Sequence, residues 1–172
     1  ISMPYGESIY LSAGVDHYLG SLEIVRVVNS GNCTDFSYLL YYCNSVKEFV
    51  GEKMEFVQDI SSMFYACSSL VSVVFPDLPN LYYYYDLFYE AYALRTAVIG
   101  DISSAGDFSD FFYDCENLLS ATIKAVSGSG YDAFAYCYSL KEAIILDPSE
   151  LTDTEEMFYD CYCLESFHLP AA

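Results

Sequence analysis

A 24-residue rhythm constrains this chain more than any other feature. In register on Cys43, further cysteines fall at 67, 115, 137 and 161, with Ala91 in the remaining place, so the steps are 24, 24, 24, 22 and 24 residues. One phrase recurs around these anchors: LLYYCNSV at Leu39, MFYACSSL at Met63, LFYEAYAL at Leu87, FFYDCENL at Phe111, AFAYCYSL at Ala133 and MFYDCYCL at Met157. A period in the twenties belongs to stacked arrays, where no rung buries its apolar side alone and each depends on its neighbours.

After each phrase comes a short apolar pattern, such as Leu70, Val73, Phe75 or Leu118, Ala121, Ile123, with Leu22, Val25, Val27 as a first rung lacking the phrase. These patterns predict one short parallel strand per rung. Turn-rich stretches, among them PDLPN at Pro76 and VSGSG at Val126, predict loops. Eight residues before the anchor stand Asp35, Asp59, Asp107, Ser129 and Asp153, failing only at Tyr83. Acceptors in that column, with Asp110, Asp132 and Glu156 three residues later, match N-caps and capping-box acids, so the phrase is expected to form a short helix. The expected fold is an α/β repeat. It is a leucine-rich-repeat-like solenoid with one short parallel strand and one short helix per rung, about seven rungs over residues 19–172, behind a lead-in or cap at 1–18.

The phrase with its following strand and turn-rich loop resembles the BspA-like leucine-rich repeats of bacterial and protozoan surface proteins, from about Leu19 to Leu169. That resemblance implies a non-enzymatic extracellular or cell-surface scaffold, a protein- or glycan-binding adhesion module. The alternative is a structural subunit that stacks end to end into a filament, surface layer or virion component.

Charge and residue chemistry narrow the partners. Twenty-five acidic against six basic side chains give a net charge of −19, which repels nucleic acid. Every apolar run is interrupted well short of the roughly 18–20 residues a membrane span needs. The chain opens on Ile1 with no obvious signal peptide, as a processed product or a segment of something longer would. No Cys-x-x-Cys pair occurs, and His17 and His168 sit at opposite ends of the array, so neither zinc nor a Cys–His nucleophile is indicated.

Cys43, Cys67, Cys115, Cys137 and Cys161 are therefore expected to be structural, packing as small hydrophobes beside Phe64, Phe88, Phe112, Phe134 and Phe158. Cys33 and Cys163, outside the column, are the better candidates for oxidation or intermolecular pairing. Two binding surfaces compete. A tyrosine edge would present Tyr41, Tyr65, Tyr89, Tyr113 and Tyr159, two residues before the anchors, with Ala135 interrupting. A strand face would present Arg26, Lys47, Arg95 and Lys141 with the exposed apolar Val50, Val74, Val98 and Ile144. Acids four apart at Asp86/Glu90, Asp110/Asp114 and Glu156/Asp160 would repel on a helix, inviting a cation, a basic partner or salt. Calcium is the one metal such acids suggest, although the dense oxygen loop of a dedicated site is missing, and no other cofactor is indicated. Asn32, in Asn32-Cys33-Thr34, is a glycosylation sequon. The last pattern carries no capping helix after its strand, so Leu164, Phe167 and Leu169 are expected to form an assembly edge for head-to-tail self-association.

Overall fold

The computed structural model describes residues 22–168. The lead-in assigned to 1–18, His17 and Leu169 lie outside the described residues.

Each apolar pattern forms a strand: β1 (Ile24–Val27), β2 (Glu48–Gly51), β3 (Ser72–Phe75), β4 (Thr96–Asp101), β5 (Ser120–Ser129), β6 (Glu142–Asp153) and β7 (Ser166–His168). The seven pair in sequence order as one parallel sheet. Successive side chains of a strand point to opposite faces, so alternate residues line the interior. One inward row runs Val25, Phe49, Val73, Ala97, Ala121, Ala143, with Phe167 completing the register at β7. Facing it, Phe64, Phe88, Phe112, Phe134 and Phe158 form a spine of stacked rings, with successive centroids 5.7, 5.4, 5.2 and 5.2 Å apart. Burying each such ring contributes about 1.5–3 kcal/mol.

The expected helix is absent, and its place is taken by something narrower. Six turns, at 36–43, 60–67, 84–91, 108–115, 130–137 and 154–161, carry the phrase, and no α-helix occurs among the described residues. A helix would send each N–H to the carbonyl four residues back. Here alternate amides instead close four-residue turns, as in Cys43 to Leu40 and Tyr41 to Tyr38, while those between them donate to the next rung, as in Leu40 to Met63 and Tyr42 to Tyr65. A helix on this side would have to be wider than the strand pitch, which would curve the stack. Parallel strands stack at about 4.7–4.9 Å, whereas a helix with its side chains is about 10–12 Å across. Turns that hydrogen-bond rung to rung let both sides of the array keep the same pitch.

Turns of this kind need residues in the left-handed region. All twelve non-glycine residues with positive φ among those described fall in two columns, five and one before the anchor: Tyr38/Tyr42, Ser62/Ala66, Asp86/Glu90, Asp110/Asp114, Asp132/Tyr136 and Glu156/Asp160. The acids read as capping-box members and as helical i, i+4 pairs are these residues. Asp is among the side chains that tolerate that region best. The acceptor column is likewise reassigned. Asp59, Asp107 and Asp153 accept the amide two residues on, and Ser129 does so through its hydroxyl, which makes Asx- and Ser-type turns in place of helix caps.

The 22-residue step is absorbed in the sheet. Of VSGSG, expected as a loop, Val126 to Ser129 form the end of β5, where they pair with the long β6. Along β5 and β6 the partner offset grows from 22 at Ala125↔Asp147 to 23 at Ser127↔Glu150 and 24 at Ser129↔Asp153, so each of two bulges takes up one residue. Gly128 makes this route passable: its φ is +73°, and a Cβ there would lie 2.1 Å from the Gly106 carbonyl oxygen.

Candidate functional site

The side chain two before each anchor leaves its turn on the outside, and successive rungs lay these rings over one another. Tyr41 stacks on Tyr65 at 4.9 Å and Tyr65 on Tyr89 at 4.8 Å, matching the strand pitch. Tyr38 and Tyr42 pack edge-on against Tyr41. Further along, buried Ala135 breaks the column, but Tyr136 from the adjacent left-handed position bridges Tyr113 and Tyr159 at 5.3 and 5.5 Å. Tyr136 was not legible as the bridge, because helical spacing would have turned it away from its neighbour. The phenols of Tyr41 and Tyr65 titrate above their ordinary range, chiefly through desolvation and then through adjacent phenols. The edge is therefore a pre-ordered aromatic strip, about half exposed at Tyr89, Tyr113 and Tyr159.

The strip divides once. No ring contact joins Tyr89 to Tyr113 among the described residues, and there a cleft of about 340 Å³ opens, lined by Asp86, Leu87, Phe88, Tyr89, Asp110, Phe111 and Tyr113. Burial first and Asp107 second hold the Asp110 carboxyl above its ordinary range. A larger, shallower hollow of about 630 Å³ lies on the loop side, beside Asp35, Asp59, Tyr82 and Tyr83. The Asp59 carboxylate there is already occupied with the Ser61 amide.

The strand face splits into two parts. Arg26, Val50, Val74, Val98, Thr122, Ile144 and His168 form one outward row. Lys47, Arg95 and Lys141 are not in it. They belong to the column that opens each strand, where Lys47 bonds to Glu23 and Val71, Arg95 to Val71 and Leu119, and Lys141 to Leu119 and Glu165. Neighbouring acids already neutralise most of these cations: Lys47–Glu23 at 3.0 Å, Arg26–Glu52 at 3.8 Å and Lys141–Glu165 at 3.8 Å. Such exposed pairs contribute at most about 1 kcal/mol each. What faces solvent is one row with apolar Val50, Val74, Val98 and Ile144 at its centre, beside a polar row of Glu48, Ser72, Thr96, Ser120, Glu142 and Ser166.

Cys43, Cys67, Cys115 and Cys137 are buried and Cys161 half-buried, with no disulfide among the described residues. Thiol protons of Cys67, Cys137 and Cys161 point at carbonyls of the preceding turn, Leu40, Phe112 and Phe134, at 3.0, 3.2 and 3.1 Å. Burial raises the Cys67 thiol to about 12. The accessibility expected of Cys33 is corrected: it is enclosed within the first rung, while Cys163 is exposed. Asn32 is exposed before the first turn. Leu164 is half-buried, and Phe167 packs edge-on against Phe158 at 4.5 Å.

Among the described residues no set of three acidic, cysteine or histidine side chains converges as metal ligands. No helix among them is long and apolar enough to cross a membrane. A stack of single-strand rungs, closed by hydrogen-bonded turns around a phenylalanine spine, is a solenoid repeat scaffold. A model of the BspA-type leucine-rich repeat region matches residues 21–105 and 103–172, in six copies, and the chain belongs to that family. No curated protein and no solved structure matches it.

Proposed function

We propose that this chain is a non-enzymatic, surface-displayed binding module that holds a protein ligand along its tyrosine edge. The observation that carries the reading is the strip itself. Ring stacking at the pitch of the sheet fixes these tyrosines before any partner arrives, so little side-chain entropy remains to be lost on binding, and rigid aromatic area is what protein-binding surfaces favour. The acids interleaved with the rings and the −19 net charge favour a basic partner surface and speed its encounter. An extracellular or cell-surface location is supported by the family alone.

The strand face is the rival surface, since Val74, Val98 and Ile144 offer an apolar row. A panel of purified basic proteins and an immobilised glycan array distinguish the two. Replacing Tyr65, Tyr89 and Tyr113 together by Ser is expected to abolish binding of a basic protein while the far-UV circular dichroism is retained. Binding that survives this change, but is lost in Val98→Lys with Ile144→Lys, would move the site to the strand face. Retention on glycans alone would replace the protein ligand with a carbohydrate.

A further inference from the structure

Amide-to-carbonyl bonds connect each turn to the next along the array, with one exception. The first turn donates to the second through Phe36, Tyr38, Leu40 and Tyr42, and the second to the third through Ile60, Ser62, Phe64 and Ala66. The fourth donates to the fifth through Phe108, Asp110, Phe112 and Asp114, and the fifth to the sixth through Gly130, Phe134 and Tyr136. Between the third and fourth turns the corresponding amides of Asp86, Phe88 and Glu90 find no carbonyl among the described residues. Within the two turns the Tyr84 hydroxyl alone crosses among the described residues, to the Ser109 carbonyl at 3.2 Å, and just beyond them the Asn117 side-chain amide donates to the Tyr92 carbonyl at 2.8 Å.

Two features coincide with the missing bonds. This is the one junction where both left-handed positions are acids on both sides, Asp86 with Glu90 against Asp110 with Asp114. Phe111 also stands where the other rungs carry Leu, Met or Ala, and its ring contacts Tyr84 at 5.0 Å and Phe88 at 5.9 Å. The cleft at this junction has aromatic walls in Tyr89 and Tyr113, an apolar floor in Leu87, Phe88 and Phe111, and the carboxylates of Asp86 and Asp110 beside it.

We infer that this cleft is a receptor for a single arginine side chain of a protein partner, its guanidinium held between Tyr89 and Tyr113 and paired with Asp86 and Asp110. The cavity interrupts a stack of rings, so a flat group entering it would resume the stacking, and guanidinium is the flat cation among protein side chains. Its fork of donors suits carboxylates, and its positive charge would complement the acids around the cleft. This assignment rests on the binding reading above and gives it a chemical anchor.

The test is nuclear magnetic resonance on the full chain titrated with N-acetyl-arginine methylamide, beside the uncharged citrulline analogue and sodium chloride at matched ionic strength. The expected result is saturable shifts of the Tyr89 and Tyr113 rings and of the Phe88 and Glu90 amides with the arginine probe alone. Asp86→Asn with Asp110→Asn should weaken it at least tenfold, and since Asn accepts the left-handed conformation the fold is kept. Equal shifts at Tyr41 and Tyr65, equal shifts with salt, or unchanged affinity in the double variant would each overturn the assignment. If the probe does not enter while a basic protein still binds through Tyr65, the cleft assignment fails and the edge reading stands. Entry of the probe together with a full panel of basic proteins that fail to bind would sink the edge reading as a protein-binding surface.

Discussion

Ala66 shows what a single position costs here. Its φ of +55° places a Cβ where an L-residue is disfavoured by about 1–2 kcal/mol. Glycine removes that strain and returns part of the gain as unfolded-chain entropy, so Ala66→Gly should stabilise by about 0.5–1 kcal/mol and Ala66→Val should destabilise, as read by denaturant melts. The anchor column behaves differently, since it is closed rather than strained. Cys67 and Cys137 donate to carbonyls one turn back, whereas no such bond is made by Cys115 among the described residues. Cys115→Ala should therefore cost less than Cys137→Ala, and Cys115→Asp should unfold the array by burying a charge. A native thiol reagent should label Cys163 at once and leave Cys67, Cys115 and Cys137 unmodified; rapid labelling of those three would contradict the closed column. The interior was legible from the sequence because apolar size repeats in register at every anchor. The left-handed columns were not, since Asp is welcome both in the first turn of a helix and in a left-handed turn, and the same letters served either reading.

At the scale of the element, the strands followed from period-two apolarity alone, and their parallel pairing from the fixed step. Local pattern could not distinguish a turn from a helix, because that depends on where the amides of the phrase donate. The competing acceptors sit one rung away, about 24 residues along the chain. The same dependence makes the junction between the third and fourth turns a local weak point. Backbone amides lacking a partner exchange through small openings. Hydrogen exchange at Phe88 and Glu90 should outpace that at Phe64, Ala66, Phe112 and Asp114, and comparable protection at all six would mean that the turn ladder is continuous after all.

For the whole molecule, charge sets the working conditions. Asp110 and Asp132 have carboxyls held above the ordinary 3.8, each chiefly by burial and then by neighbouring acids. A raised folded value adds stability that is complete below the unfolded value and lost as pH rises through the folded one, so these groups favour mild acid over neutrality. Asp77 and Asp147 are held below 3.8, Asp77 chiefly by Lys124 and Asp147 by Ser149, and their contribution is lost as pH falls past that value. The melting temperature should accordingly rise as pH drops from 7 toward about 4.5 and fall again in stronger acid. In alkali, the Cys67 thiol stays protonated in the fold to about 12 against 9.0 unfolded, so stability should decline across that interval. Half-molar salt should raise the neutral melting temperature by screening the −19 charge, and a flat response would count against repulsion as the dominant strain.

The two bulges between β5 and β6 bear on how such a chain can change over generations. They let one rung be two residues shorter than its successor while the strand starts, Ser120 and Glu142, remain partners and the inward rows stay aligned. A small deletion in the coding sequence is thus confined to the far end of one strand and is not passed on to the rungs that follow. Duplication of whole rungs and trimming of individual ones are then compatible edits, which leaves a lineage free to lengthen, shorten or rewrite its outer edge while inheriting the interior unchanged.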